Sequence, residues 1–265
     1  LQLLTWTVTT AEETISWSFF TLTWHSLMLA AIAALVAVVL ALLLAYGKRL
    51  RSTPLIEGSV RAAAMGYAVP GTVIAVGVLI PFAWLDNTID GWMRDTFGIS
   101  TGLLLSGTLV ALIFAYTVRF LSVSIQAVES GLAKIKPSMD DAGRSLGLRP
   151  MGVLRRIHLP IMKGTVLTAL LLVFVDVLKE LPATLILRPF NFNTLAVRAY
   201  EMAADERLAD AGAPALMIVL AGIIPVILLS RAISRARAGG EIQCASCMSI
   251  MFQSPTGATK LSTMR

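Results

Sequence analysis

The sequence predicts an all-α, polytopic membrane helix bundle of about five transmembrane helices, with one long basic loop between the third and fourth. Three observations predict it. The 265 residues are 56% hydrophobic and only 14% charged, with a mean hydropathy of +0.77, where a soluble domain carries about 25% charged residues. Five apolar stretches reach or approach the roughly 20 residues that a membrane-spanning helix needs. Lysine and arginine are unevenly placed: segments 47–65, 127–163 and 231–265 hold 16 of them, and segments 1–23, 86–102 and 188–212 hold 4.

Residues 1–23 read as a periplasmic or interfacial segment, in which "AEETISWSFFTLT" is amphipathic and Trp6, Trp17 and Trp24 suit the headgroup depth. This segment lacks the basic start and cleavage site of a signal peptide, and a chain beginning at Leu1 reads as either a mature fragment or a piece of a longer polypeptide. The first span, about Trp24–Tyr46, is an unbroken apolar run. The second, Gly66–Leu85, contains Pro70 and Pro81, and the fifth, Ala213–Ser230, contains Pro225. Proline removes a backbone donor and kinks a helix, which a bundle tolerates because neighbours satisfy the freed carbonyls. The third span is Leu103–Gln126 and the fourth Gly164–Leu187. Because lysine and arginine favour the cytoplasmic side, the amino end is expected outside and the carboxyl end inside. Nine acidic residues fall in the outer segments. A bilayer location, with lipid around the bundle, follows.

The basic loop has deliberate punctuation. Ser138 with Asp141 three residues on fits a capping box, Gly147 stands where a helix ends in a left-handed residue, and Pro150 suits the first turn of a second helix. Pro160 is expected to end that helix just before the fourth span. Leu146, Met151, Leu154 and Ile157 form an apolar ridge flanked by Arg149, Arg155 and Arg156. Such a loop fits either a protein partner or an anionic lipid surface.

The spacing of residues 141–160 resembles the EAA loop of binding-protein-dependent ABC-importer permeases. Asp141-Ala142-Gly143 stands at the E-A-A positions, Gly147 at the glycine, and Ile157-His158-Leu159-Pro160 at the closing I-x-L-P. Aspartate for glutamate and glycine for the second alanine are the departures. The resemblance runs from about residue 20 to about 237 and implies a transmembrane domain over 24–237 with a coupling loop at 137–160. In it Asp141, Ala142, Gly143, Gly147, Ile157, Leu159 and Pro160 would engage a cytoplasmic ABC ATPase. "KELPATL" and "RPFNFNTLA" (residues 179–185 and 188–196) resemble ferric-iron importers, often one chain of two fused halves. This implies Fe(III) import from a periplasmic iron-binding protein, in the inner membrane, by what looks like a C-terminal half that needs a second permease half, fused or separate. Thiamine, a polyamine or sulfate are the alternative cargoes.

Asp176 lies about 18 Å into the fourth span at 1.5 Å per residue, with Lys179 and Glu180 on the same face. Intramembrane charges normally face a bundle interior or water, so Asp176 and Glu180 are either a substrate path for a hard cation or members of a structural ion pair, with Arg119 as a candidate partner. For Arg119 itself, snorkelling toward the cytoplasmic interface is the expected arrangement. Glu201 and Asp205 are candidates for docking the binding protein, and Glu206 and Asp210 continue that acidic face. Tyr200 fits an interfacial anchor better than an iron ligand. No metal site is specified.

The net charge of +6 fits membrane topology rather than nucleic acid. No G-x-x-x-x-G-K-[ST] loop occurs, so the chain is expected to bind no cofactor and to depend on ATP held by the partner subunit; it is not expected to be an enzyme. An intramembrane hydrolase built on Asp176 lacks a convincing second group, and a non-ABC secondary transporter would show inverted repeats, which are not evident. Residues 238–265 read as a disordered cytoplasmic tail, and the CxxC of Cys244 and Cys247 lacks the second ligand pair of a zinc site.

Overall fold

The computed structural model describes residues 2–10, 16–227 and 231. The tail at 238–265, with Cys244 and Cys247, and residues 11–15 lie outside the described residues. All regular structure among the described residues is helical. Residues Leu1–Pro225 form one compact unit.

A short helix α1 (Gln2–Thr9) precedes α2 (Trp17–Leu50), which carries the first span. Trp17–Thr23, expected in the interfacial segment, are the first turns of this same helix, because nothing from Trp17 onward interrupts it. Trp17 and Trp24 are exposed, as headgroup-level aromatics should be. The buried stripe of α2 is built from alanines, Ala30, Ala33, Ala34, Ala37 and Ala41, at the three- and four-residue spacing that forms one helix face. Small residues let helix backbones approach closely in lipid, where association rests on packing. Facing them are Ala111, Leu112 and Ala115 of α5 (Leu109–Leu132).

Between these lie α3 (Pro54–Ala64), capped by Thr53 on the Ile56 amide, a single turn at Gly66–Ala68, and α4 (Gly71–Phe97). Gly66 cannot carry a side chain, since its Cβ would lie 2.1 Å from the Val118 carbonyl oxygen. The second span is displaced from its expected bounds. Pro70 ends the preceding turn rather than kinking the helix, and Pro81 lies inside it. At the far end α4 runs twelve residues beyond Leu85. Asp86, 1% exposed, accepts hydrogen bonds from the Leu104, Leu105 and Ser106 amides and the Ser106 hydroxyl. Residues 103–106 are therefore a loop wrapped on that carboxylate, and the third span starts at Leu109 behind its Thr108 cap.

The loop expected at 137–160 forms two helices, α6 (Pro137–Ser145) and α7 (Pro150–Ile161), the latter containing a π turn at Leu154–His158. The fourth span is α8 (Lys163–Leu178), broken at Lys179–Leu181 and resumed as α9 (Pro182–Leu187). Then follow α10 (Leu195–Ala204), capped by Thr194 on the Val197 amide, and the apolar α11 (Gly212–Ile227). Three helices, α2, α4 and α5, are long and apolar enough to cross a membrane alone; the 16-residue α8 and α11 are shorter.

Two ends of the unit are distinct. Phe19, Leu195 and Ala213 pack together, and the Leu195 amide donates to Ser26 Oγ at 2.8 Å, which fixes α10 to the start of α2. Ala45, Val60, Leu132 and Met162 pack at the other end, beside the α6–α7 hairpin.

Candidate functional site

The hairpin is terminated by backbone geometry. Gly147 has φ +80, its amide donates to the Arg144 carbonyl at 2.9 Å, and the Leu148 amide donates to Gly143 at 3.1 Å. That pair of bonds is the Schellman closure, which requires a left-handed residue where Gly147 stands. Pro150 begins α7 as expected. Two expectations differ from what is found. α6 starts at Pro137 after Lys136 with no side-chain cap, so Ser138 and Asp141 do not form a capping box. Pro160 does not end α7: the π turn carries the chain through it, with the Leu159 amide donating to Leu154. The break comes at Met162, where the axis bends 82° into α8.

Of the residues singled out by spacing, Gly143 is the packing point. A Cβ there would lie 2.8 Å from Ile157 Cδ1 and 3.2 Å from Val153 Cγ2, so the glycine lets α6 lie against α7. Asp141, Ala142 and Pro160 are exposed, and Leu159 is half-buried. Leu146 and Met151 are exposed, whereas Leu154 is buried and does not join an outward ridge.

Sequence reasoning missed the residues that bind the hairpin to the bundle. Arg49, in the last turn of α2, donates from Nε to Asp140 at 2.8 Å, and through its terminal nitrogens to the carbonyls of Leu132 at 2.7 Å and Ile135 at 2.8 Å. It thereby holds the C-terminal end of α5 and the hairpin together. The other Asp140 oxygen lies 2.5 Å from His158 Nε2; His158 is fully buried, and its Nδ1 has no partner. Tyr46 lies edge-on to the His158 ring and donates its hydroxyl to the Pro150 carbonyl at 2.8 Å. The neighbouring Lys48–Glu129 pair is over a third exposed on both sides and contributes little. A histidine inside the I-x-L-P segment and a tyrosine and arginine one turn apart at a span end were the available signals.

Burial raises the Asp140 carboxyl, but hydrogen bonds from Arg49 and His158 outweigh it and hold it below the usual carboxylate value. A depressed folded-state value means stability present above the unfolded value and lost as pH falls through the folded one. Hydrogen exchange of the α6 and α7 amides, corrected for its intrinsic pH dependence, is therefore expected to accelerate as pH drops below about 4. Asp140→Asn should remove that step.

The second cluster lies at the α8–α9 break. Glu180, 7% exposed, faces Arg119 of α5 with Nε to Oε2 at 3.4 Å, and Arg119 also donates to the Val69 carbonyl at 3.3 Å. Arg119 thus turns inward to Glu180 and does not snorkel. Gly71 makes room: its Cβ would lie 2.5 Å from Glu180 Oε1 and 2.7 Å from an Arg119 terminal nitrogen. Thr184 donates to the Glu180 carbonyl at 2.6 Å and lies 2.5 Å from the buried Tyr116 hydroxyl. Asp176 pairs instead with the exposed Lys179 at 2.8 Å, so the structure separates it from Glu180.

At the opposite end from the hairpin, Glu201 is held by Arg188 at 3.0 Å and Arg198 at 3.7 Å, while Asp205 and Glu206 are exposed. Asp210 pairs with Arg207 at 2.6 Å, and Tyr200 is half exposed. Among the described residues, no three histidine, cysteine or acidic side chains assemble where they could hold a metal ion.

No family model matches the chain. The Fe(3+)-transport system permease protein FbpB 2 of Haemophilus influenzae is 32% identical over 165 residues, which is 62% of this chain and 29% of that protein. PhnV of Salmonella typhimurium, provisionally named a 2-aminoethylphosphonate transport system permease protein, is 25% identical over 168 residues, 63% of this chain and 57% of that one. The chain thus spans less than two thirds of these relatives' lengths. A bacterial alginate ABC transporter, solved with an alginate-bound periplasmic protein, matches with a TM-score of 0.67 at 12% identity, covering 88% of this chain and 86% of that one. The MetNI methionine ABC transporter in inward-facing form gives 0.55 at 16% identity, covering 82% and 99%. Likeness in sequence to transport-system permease proteins and likeness in fold to ABC transporters therefore point the same way.

Proposed function

We propose that the chain is the transmembrane half of an ABC importer that moves a solute from a periplasmic binding protein to the cytoplasm, driven by a separate ATPase. The observation that carries this reading is the α6–α7 hairpin. It is closed at Gly147, tied to α2 through Arg49 and Tyr46, and continuous with α8 through one 82° bend. A body docked on its exposed surface would move two spans together. The hairpin end is the cytoplasmic end in this reading, the positive-inside asymmetry supporting it, and a second permease half completes the pathway.

Ferric iron is the cargo favoured by likeness to FbpB 2. A phosphonate is the second reading, favoured by PhnV. Of the two acids read as a binding-protein dock, Asp205 is exposed and Glu201 is engaged by two arginines, so Asp205 is the better candidate. Asp176 and Glu180 remain candidates for the path, Glu180 through the buried cluster it shares with Arg119.

Gly147 provides the direct test. Among the described residues, its chain neighbours aside, nothing lies within 4 Å of its Cβ position, so a side chain can leave the backbone there without a clash, apart from backbone strain of about 1–2 kcal/mol. Asparagine tolerates that backbone conformation. Gly147→Asn is expected to keep ATPase co-purification and uptake, and Gly147→Arg to lose both. Uptake of labelled Fe(III) and of 2-aminoethylphosphonate by cells carrying the intact system measures it. Full activity of Gly147→Arg would remove the coupling role.

A further inference from the structure

A cavity of about 670 Å³ opens between the start of α2 and the 188–214 segment, lined among others by Trp17, His25, Asn191, Asn193, Arg198 and Arg207. Its size is ordinary for a small-molecule site. Among the described residues its chemistry is one-sided: two guanidinium groups, two amides and an imidazole line it, and no described carboxylate does. Of the acids in the 201–210 segment, Asp205 and Glu206 are exposed and are not among the described lining residues, and the other two are held by arginines. Asp210 binds Arg207 through one oxygen at 2.6 Å, and Glu201 is shared by two arginines, Arg188 at 3.0 Å and Arg198 at the longer 3.7 Å. One guanidinium charge of that trio is left uncompensated, and Arg198, 45% exposed, is the looser partner. Asn193 accepts from Arg188 through its carbonyl oxygen, which leaves its amide N–H groups as donors. His25 is held flat against Phe192, centroids 4.8 Å apart at 18°.

We propose that this cavity is a binding site for the oxyanion group of a small solute, with Arg198 as the principal anchor and Asn193 and His25 as further hydrogen-bonding groups. Guanidinium recognises carboxylate and phosphate oxygens through paired N–H donors. Bare Fe(III), a hard cation, finds no anionic oxygen among the described lining residues, whereas a phosphonate or a ferric ion wrapped in carboxylates presents outward the charge that those residues select. The inference deepens the importer reading by naming the cargo's chemistry, and rests on that reading only for the direction of transport.

The test is equilibrium binding to the membrane complex purified through this chain, in lipid nanodiscs, with labelled 2-aminoethylphosphonate and labelled ferric citrate as probes. Binding of either to the wild type, weakened about tenfold or more by Arg198→Gln and only partly restored by Arg198→Lys, which keeps the charge but not the paired donors, supports the site. Which probe binds distinguishes an organic oxyanion from a chelate. His25→Ala, on the opposite wall, should weaken the same probe, and decides the matter if Arg198→Gln fails to fold. Wild type binding neither probe, or a folded Arg198→Gln binding as wild type, overturns the proposal. ATPase co-purification from the same preparation judges the importer reading separately.

Discussion

Replacing Glu180 with leucine is expected to destabilise the membrane domain by about 3–5 kcal/mol, the loss found when one partner of a buried ion pair is removed. Among the described residues, the remaining Arg119 would keep the Val69 carbonyl and the face of the Phe120 ring, while its Nε already lacks a well-formed hydrogen bond. The companion double variant, Arg119→Met with Glu180→Leu, is expected to regain most of that stability, since an apolar pair of similar volume often equals or exceeds a buried ion pair. Thermal unfolding in detergent measures both. Uptake then separates two roles that stability alone leaves together. A stable double variant that transports marks the pair as structural, and one that folds but does not transport puts the charge of Glu180 on the path. Equal stability of wild type and Glu180→Leu would contradict the buried pairing itself.

Asp140→Leu is expected to have the next largest effect, about 3 kcal/mol, near the lower end for breaking a buried pair, because Arg49 retains two carbonyl partners. Such a loss shifts the equilibrium between an anchored and a loose hairpin roughly a hundredfold. The bundle should stay folded while ATP hydrolysis, where the ATPase still binds, no longer drives uptake. His158→Gln keeps a nitrogen near the Nε2 position and is expected to retain more coupling than His158→Leu. The ratio of ATP hydrolysed to solute moved, in reconstituted vesicles, reads this out. An unchanged ratio in a folded Asp140→Leu protein would show that the anchor carries no coupling.

What could be read in advance divides along sequence distance. The first span was legible because nothing polar interrupts it. Gly147 and Pro150 were legible because cap geometry is local. The outward extension of α4 was not: Asp86, Asp90 and Asp95 read as loop charges, yet Asp86 is consumed by amides eighteen to twenty residues away. The pairing of Glu180 with Arg119, sixty-one positions earlier, stood open as one of two readings because a charge inside a span needs a partner, but nothing local showed that Arg119 would take Glu180 and leave Asp176 to Lys179. The hairpin's anchor was hidden for the same reason, since Arg49 meets Asp140 across ninety-one residues. The motif drew attention to Asp141, whose side chain is exposed, and away from its half-buried neighbour Asp140.

One helix reaches both ends of the Leu1–Pro225 unit. α2 has no proline, and it places His25 beside the cavity at one end and Tyr46 and Arg49 under the hairpin at the other. These positions are about 36 Å apart at 1.5 Å per residue. A stiff rod of that length cannot shift one tip alone: a tilt of roughly 10° about its midpoint sweeps each tip through an arc of about 3 Å, in opposite senses. Whatever pulls the hairpin sideways therefore reshapes the mouth of the cavity in the same stroke, with no relay of side chains in between.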